Sequence, residues 1–235
     1  MRRLLSLALV PVLLLAAACS SSSKHATATT TTTSSPDPAA DATAAKALVL
    51  QPGDLPSDWK SSPHESDAGE DAAEKRFSSC VGGSDPTQAS AKADGPDFDK
   101  GDASVSSSAS IVRTRSDFEA DVAALRSPKV QPCLEDVLKT LIQAEMQKDS
   151  PGARITKVAM TTLSTPPVGE VTAAYRVTID VNVEGQTVTV YDDSIQYGKG
   201  RSEVTIDFTN VGSPFDASLE STVLAKAKAR IGAAR

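Results

Sequence analysis

The stretch VTAAYRVTIDVNVEGQTVTVYDDSIQYGKGRSEVTIDFTN, from Val171 to Asn210, decides the fold class. From Val171 to Glu184 its residues alternate. Tyr175, Val177, Ile179, Val181 and Val183 fall on one side, and Arg176, Thr178, Asp180, Asn182 and Glu184 on the other. A period of two marks a half-buried strand. Glu184-Gly185 supplies a tight hairpin turn, and Gln186 to Tyr197 returns as a second strand. Its apolar set changes phase between Val190 and Tyr191, which predicts a bulge. Gly198-Lys199-Gly200 turns the chain again, and Arg201 to Asn210 comes back with Val204, Ile206 and Phe208 inward. Three consecutive antiparallel strands make a meander. Its outward face is polar, so one side of the sheet is expected to be solvated or to form a shallow groove.

Downstream, Phe215, Leu219, Val223, Ala227 and Ile231 recur every four residues, a final helix with basic Lys226, Lys228 and Arg230 towards its C-terminus, where the dipole favours them. Upstream, Pro132 to Gln147 is the clearest helix, with Leu134, Val137, Leu138, Leu141 and Ile142 on one face. Before it, Ser116 can cap a helix running to Arg126, with Glu119 in capping-box position and Phe118, Val122 and Leu125 as its stripe. Ala103 to Arg113 reads as a strand, with Val105, Ala109 and Ile111 on one face and serines on a wet one. Ala153 to Ser164 is a further, less regular strand. Glu70 to Val81 is a helix with Ala73, Phe77 and Cys80 aligned, stopped by Gly82-Gly83. Asp41 to Leu50 is a short helix closed by Pro52-Gly53. The turn Asp54-Leu55-Pro56-Ser57-Asp58-Trp59 brings Trp59 to plug an edge of the core, with ligand stacking as the alternative. Ser84 to Asp102 reads as a long polar surface loop. The whole is an α+β domain. Its antiparallel sheet is the C-terminal three-strand meander plus one or two further strands, packed against helices, including the C-terminal one, on one face.

The first residues carry an address. Met1-Arg2-Arg3, an apolar run from Leu4 to Leu15 and Ala16-Ala17-Ala18-Cys19 form the three parts of a secretory signal. The apolar run is too short for a transmembrane helix, which needs ~20 residues. Small residues before a cysteine resemble the bacterial lipobox, although the usual leucine three residues ahead is Ala16 here and the leucine is Leu15. The resemblance implies cleavage after residue 18 and a diacylglyceryl group on Cys19; the alternative is an ordinary secretion signal that leaves a free thiol. Ser20 to Ser35 is Ser, Thr, Ala, Lys and His, too polar to repay the entropy of ordering. Residues 1–18 are therefore read as signal, 19–45 as lipidated cysteine and tether, and 46–235 as one globular domain. The tether spans roughly 30 Å as a coil.

Charge narrows the partners. Lys plus Arg is 24 and Asp plus Glu is 30; removing Arg2 and Arg3 leaves 22 − 30 = −8. With 4% aromatic residues and no basic run, nucleic acid is not an expected partner. With Cys19 lipidated, Cys80 and Cys133 remain as an even pair in an oxidising compartment, and the default is a disulfide. The competing reading is a reactive or metal-binding thiol, for which His25, in the tether, and His64, in a loop, are the only imidazoles. No cofactor and no metal site is read.

Catalytic patterns fail. There is no Gly-x-Ser-x-Gly elbow, and Gly198-Lys199-Gly200-Arg201 lacks the spacing and the Ser/Thr of a phosphate loop. Asp97 to Asp102 departs from the EF-hand at its fifth and sixth positions, Gly101 and Asp102. Asp192 and Asp193 are strand neighbours that point to opposite faces, and they read as a solvated strand end.

The lipobox, the Ser/Thr/Ala tether, the Leu-Pro-x-x-Trp turn at 55–59, a cysteine ending one helix and another opening a later one, and a Gly-Arg strand before a final helix resemble cell-envelope lipoproteins of mycobacteria and related actinobacteria. The order of elements is similar to the α+β extracytoplasmic sensor domains of mycobacterial Ser/Thr kinases and to the PsbP-like fold, without the four-cysteine pattern of the kinase sensors. The resemblance implies no catalytic residues. Two functions follow as expectations. One is a non-enzymatic, membrane-anchored lipoprotein on the extracytoplasmic face that binds a lipid, a cell-wall fragment or an envelope protein. The other is a cell-wall-acting enzyme using a carboxylate pair assembled by the fold. The anchor is tested directly: in an actinobacterial host Cys19→Ser is expected to move the protein from the detergent phase to the aqueous phase in Triton X-114 partition. Unchanged partition would refute lipidation.

Overall fold

The computed structural model describes residues 37–65, 68–83 and 85–233. The expected lipidation site Cys19 and the expected tether up to residue 36 lie outside them. In chain order the elements are α1 (Pro38–Leu48), β1 (Lys60–Ser62), α2 (Ala68–Val81), a 3₁₀ turn at Pro86–Gln88, β2 (Ala91–Asp94), β3 (Asp97–Lys100) and β4 (Ala103–Ile111). There follow α3 (Arg115–Leu125), α4 (Val130–Val137), a π turn (Leu138–Ile142), α5 (Gln143–Asp149), β5 (Arg154–Thr162), β6 (Val171–Val183), β7 (Gln186–Lys199), β8 (Ser202–Val211) and α6 (Ala217–Ala233). The eight strands form one antiparallel sheet in the order β1-β3-β4-β8-β7-β6-β5, with β2 paired to β4. The α+β class and the closing helix stand as expected, but the meander is joined by five further strands rather than one or two.

The extra strands arise where a surface loop was expected. Ala91-Lys92-Ala93-Asp94 and Asp97-Phe98-Asp99-Lys100 each carry one deeply buried apolar residue, Ala93 and Phe98, among charges. So little apolar alternation reads as polar loop, and pairing to β4 supplies the missing order. The folded part also begins before residue 46: Asp37 caps α1 through the amides of Ala39 and Ala40, and Ala45 is fully buried. Residues 38–45 therefore belong to the domain and not to the tether. The cap of α3 lies two residues earlier than expected, with Thr114 and Asp117 forming the capping box.

Both faces of the sheet are covered. On one, α1 and α6 bury Leu48, Val223, Ala227 and Ile231 against Val105, Ala109, Val204, Ile206 and Phe208. On the other, α2 to α5 bury Phe77, Val81, Leu134, Val137 and Met146 against Ile155, Val177, Ile179 and Val190. This explains the phase change in β7. The pairing of β6 with β7 runs unbroken from Val171/Gly198 to Val183/Gln186, so there is no bulge at Tyr191. Val190 belongs to one core and Ile195 and Tyr197 to the other. The register shift occurs in β5, between Ile155 and Lys157. At the β6–β7 turn Glu184 and Gly185 both have positive φ, 53° and 84°, as a two-residue primed turn requires.

Ion pairs fasten the first helical layer. Arg201 is bidentate to Asp41 at 2.7 and 3.0 Å and donates to the Val112 carbonyl, tying α1 to the β7–β8 hairpin. Arg230 of α6 binds Asp54 at 2.6 Å. The second layer is stapled covalently: Cys80, ending α2, is bonded to Cys133 of α4, with Cα atoms 5.7 Å apart across 53 residues. Closing that loop is worth up to about 4 kcal/mol in the chain-entropy model. Replacing both cysteines by serine is expected to lower Tm by roughly 5–15 °C in a scan of the purified protein. An unchanged Tm would show that the staple carries no stability.

Candidate functional site

α3 positions the site. Its capping box sets the first turn, and Phe118, Val122 and Leu125 then face the sheet at helical spacing. Phe118 is buried because the strand beneath it has no side chain: a Cβ on Gly198 would stand 2.6 Å from the phenyl ring. On its far side the ring carries the Arg115 guanidinium 4.8 Å from its centroid, and Arg115 binds Glu119 and Glu170. Tyr175 donates to the Leu125 carbonyl at 2.9 Å and fixes the other end of α3.

Between α3 and the sheet lies a narrow cleft of about 30 Å³. Its roof and wall are apolar, made by Phe118, Val122, Leu125 and Val171. Its floor is polar, made by Gln196, Glu203 and Thr205 of β7 and β8. A larger, open trough of about 580 Å³ runs on the opposite face beside Trp59, Phe215 and Lys100. Trp59 itself is a core residue, tilted on Phe215 with centroids 5.8 Å apart, so it plugs the core as expected.

Behind the cleft floor the polar surface continues inward. Cross-strand pairs Ser110/Glu203, Ser108/Thr205 and Ser106/Asp207 join β4 to β8, and Gln196/Thr205, Ser194/Asp207 and Asp192/Thr209 join β7 to β8. All these side chains share one face. The serine face of β4, expected to be wet, is covered: Ser108 and Ser110 are buried, as are Thr205, Asp207, Thr209 and Asp192. Asp192 and Asp193 do point to opposite faces, but neither is solvated. Asp193 is fully buried and binds Arg176 at 2.5 and 2.6 Å on the α6 side. Asp192 accepts from Thr209 at 2.9 Å on the other side.

Among the described residues Asp192, Asp207 and Glu203 have no ion pair with Lys or Arg. Burial pushes Asp207 up to about 7, against a hydrogen bond from Ser194. Burial, then the charge of Asp207, holds Asp192 well above the usual carboxylate range. Glu203, the half-buried member reached from the cleft, is pushed up to about 8 by burial, offset by hydrogen bonds with Ser110 and Asp121. At neutral pH the floor is thus a surface of neutral donors and acceptors. Ser108 Oγ and Asp207 Oδ2 have no hydrogen-bond partner among the described residues.

His64 lies apart. Its Nδ1 is 3.0 Å from Asp97 and its Nε2 3.3 Å from Glu70, so it clamps the start of α2 to β3. Burial works against its charge, but the hydrogen bond and charge of Asp97 and the charge of Glu70 prevail and raise its pKa. Cys80 and Cys133 are spent in the disulfide and cannot act as its thiol partner. Among the described residues no three His, Cys, Asp or Glu side chains are grouped to hold a metal ion, and no helix is long and apolar enough to cross a membrane.

The fold and site define a three-layer α+β domain whose sheet is apolar towards one helical layer and, over its central strands, polar towards the other. No family model matches the chain, and no curated protein matches it. Two solved structures from Mycobacterium tuberculosis are similar to it. One is LpqN, described as involved in cell envelope biogenesis: 15% identity, 78% of this chain and 86% of that one covered, TM-score 0.30. The other is the extracellular domain of PknH: 12% identity, 79% and 95% covered, TM-score 0.37. Both neighbours are thus envelope or extracellular proteins of a mycobacterium. At these scores neither transfers a function or a site residue to this chain.

The seat of α3 on Gly198 is tested by Gly198→Ala. The added methyl must displace Phe118, and overpacking of this kind costs about 1–3 kcal/mol by denaturant unfolding. Wild-type stability would mean that the ring is not seated there.

Proposed function

We propose that this chain is a non-enzymatic binding domain, held at the extracytoplasmic face of the membrane by lipid on Cys19, that takes a small amphiphile into the cleft beneath α3. The ligand class is a lipid or cell-wall fragment with an apolar segment and hydroxyl-rich head. The observation that carries this reading is the asymmetry of the cleft: Phe118, Val122 and Leu125 above, and Gln196, Glu203 and Thr205 below. Glu203, protonated at neutral pH, both donates and accepts, as a hydroxyl-bearing ligand needs. At about 30 Å³ the cleft as it stands holds little more than one water, so uptake of a sugar-sized unit or a chain segment requires α3 to lift from the sheet.

An acid/base pair has less support. Glycoside hydrolysis requires two carboxyls separated by the substrate. Here Asp192 and Asp207 are buried beside one another inside the protein, and Glu203 accepts from the buried Ser110.

Native mass spectrometry of the protein purified gently from an actinobacterial host tests the proposal. A co-purifying lipid or glycan mass is expected in the wild type and should be lost in Val122→Trp, which fills the cleft. A bare protein in both samples would contradict the proposal and direct attention to envelope protein partners.

A further inference from the structure

A buried ionised carboxylate needs a cation or several donors. Asp192, Asp207 and Glu203 have no ion pair with Lys or Arg among the described residues. The elements packed around them offer little else. β4 contributes the hydroxyls of Ser106, Ser108 and Ser110, β7 contributes Ser194, and β8 contributes Thr205 and Thr209. From α3 come two further acids, Asp117, whose charge acts on Glu203, and the buried Asp121. From α2 comes Glu74, already held by Lys92 of β2 at 2.6 Å, together with buried Ser78. β6 presents Tyr175, spent on the Leu125 carbonyl, with Arg126 acting on that phenol. Arg176, the nearest guanidinium along β6, points to the other face and binds Asp193.

Two observations then point to protons. Asp121 of α3 acts on Glu203 as a hydrogen-bonding neighbour, and two carboxyls share a hydrogen bond only if one of them is protonated. Asp207 Oδ2, in a residue 3% exposed, accepts no hydrogen bond among the described residues, which a protonated carboxyl tolerates and a buried carboxylate does not.

We propose that these carboxyls form a proton-held joint between the α2–α4 layer and the sheet, closed while they are protonated and loosened as the medium turns alkaline. Each proton lost passes to solvent. The carboxylate left behind is stabilised only by water, which enters when α3 moves off β7 and β8. The joint lies beside the cleft but does not depend on any ligand.

The direction follows from linkage. In the unfolded chain these carboxyls titrate near 4, whereas the folded chain keeps their protons to much higher pH. Between those limits the folded state binds more protons, so stability falls as pH rises, from roughly pH 4 to 8, and levels off beyond. His64 also has a raised pKa and acts in the same direction, so it must be controlled for.

The test is thermal unfolding of the full chain from pH 5 to pH 9, for the wild type, Asp207→Asn, Glu203→Gln, their combination and His64→Gln. The wild-type Tm is expected to fall by about 10 °C over this range. The combined variant should lose at least half of that slope, whereas His64→Gln keeps most of it. A flat or rising Tm, or an undiminished slope in the combined variant, would overturn the proposal. Should the combined variant fail to fold, hydrogen exchange of the wild type decides. After correction for intrinsic rates, α3, β7 and β8 should open more at pH 8.5 than at pH 6, while α1 and α6 do not. A uniform response would refute the joint.

Discussion

The constraint on which this structure depends is the burial of carboxyls on one face of its central strands. Strands β4, β8 and β7 are covered on both sides, and one side carries Asp192, Asp207 and Glu203 among serines and threonines. A bare carboxylate in a dry interior has an idealised desolvation cost of order 20 kcal/mol, still several after relaxation. Holding a carboxyl protonated at pH 7 when it would ionise near 4 costs about 4 kcal/mol. Neutralisation wins. The helical layer over these strands can then be apolar at Phe118 and Val122 and still sit on a polar sheet.

The two layers consequently differ in kind. Towards α1 and α6 the sheet offers Val105, Val204, Ile206 and Phe208, and the ion pairs Arg201–Asp41 and Arg230–Asp54 close the edges. That side is a conventional apolar core whose charges are paired. Towards α2–α5 the apolar contact lies at the β5–β6 end, around Val177, Ile179 and Val190, and a disulfide joins α2 to α4. The polar zone and the cleft lie between that contact and Phe118.

Much of the fold was legible in the sequence because it rests on periodicity. The meander, the final helix and the Phe118–Leu125 stripe are local patterns, and parity paired Cys80 with Cys133. Strands β2 and β3 were hidden because order there comes from pairing with β4 and not from alternation. The site was hidden for a related reason. Polar residues opposite an apolar face read as wet, and that rule fails where a second layer covers them, as at Ser108, Ser110, Asp192 and Asp207. One signal was present: the phase change in β7 means that apolar residues are needed on both faces, and a strand with that need is covered twice. That Asp192 and Asp207 fall on one face of neighbouring strands follows from the register, which alternation alone does not provide.

The central claim is that these carboxyls are neutral in the folded protein. Carbon-13 NMR of the side-chain carboxyls, followed from pH 4 to 9 in the full chain, reads this residue by residue. The structure predicts that the Asp207 and Glu203 carboxyl carbons keep protonated shifts through pH 6 and titrate near 7 and 8, while Asp58, whose carboxylate is held by Lys100, is already ionised at the acid end. Ionised shifts for Asp207 and Glu203 at pH 5 would contradict the account.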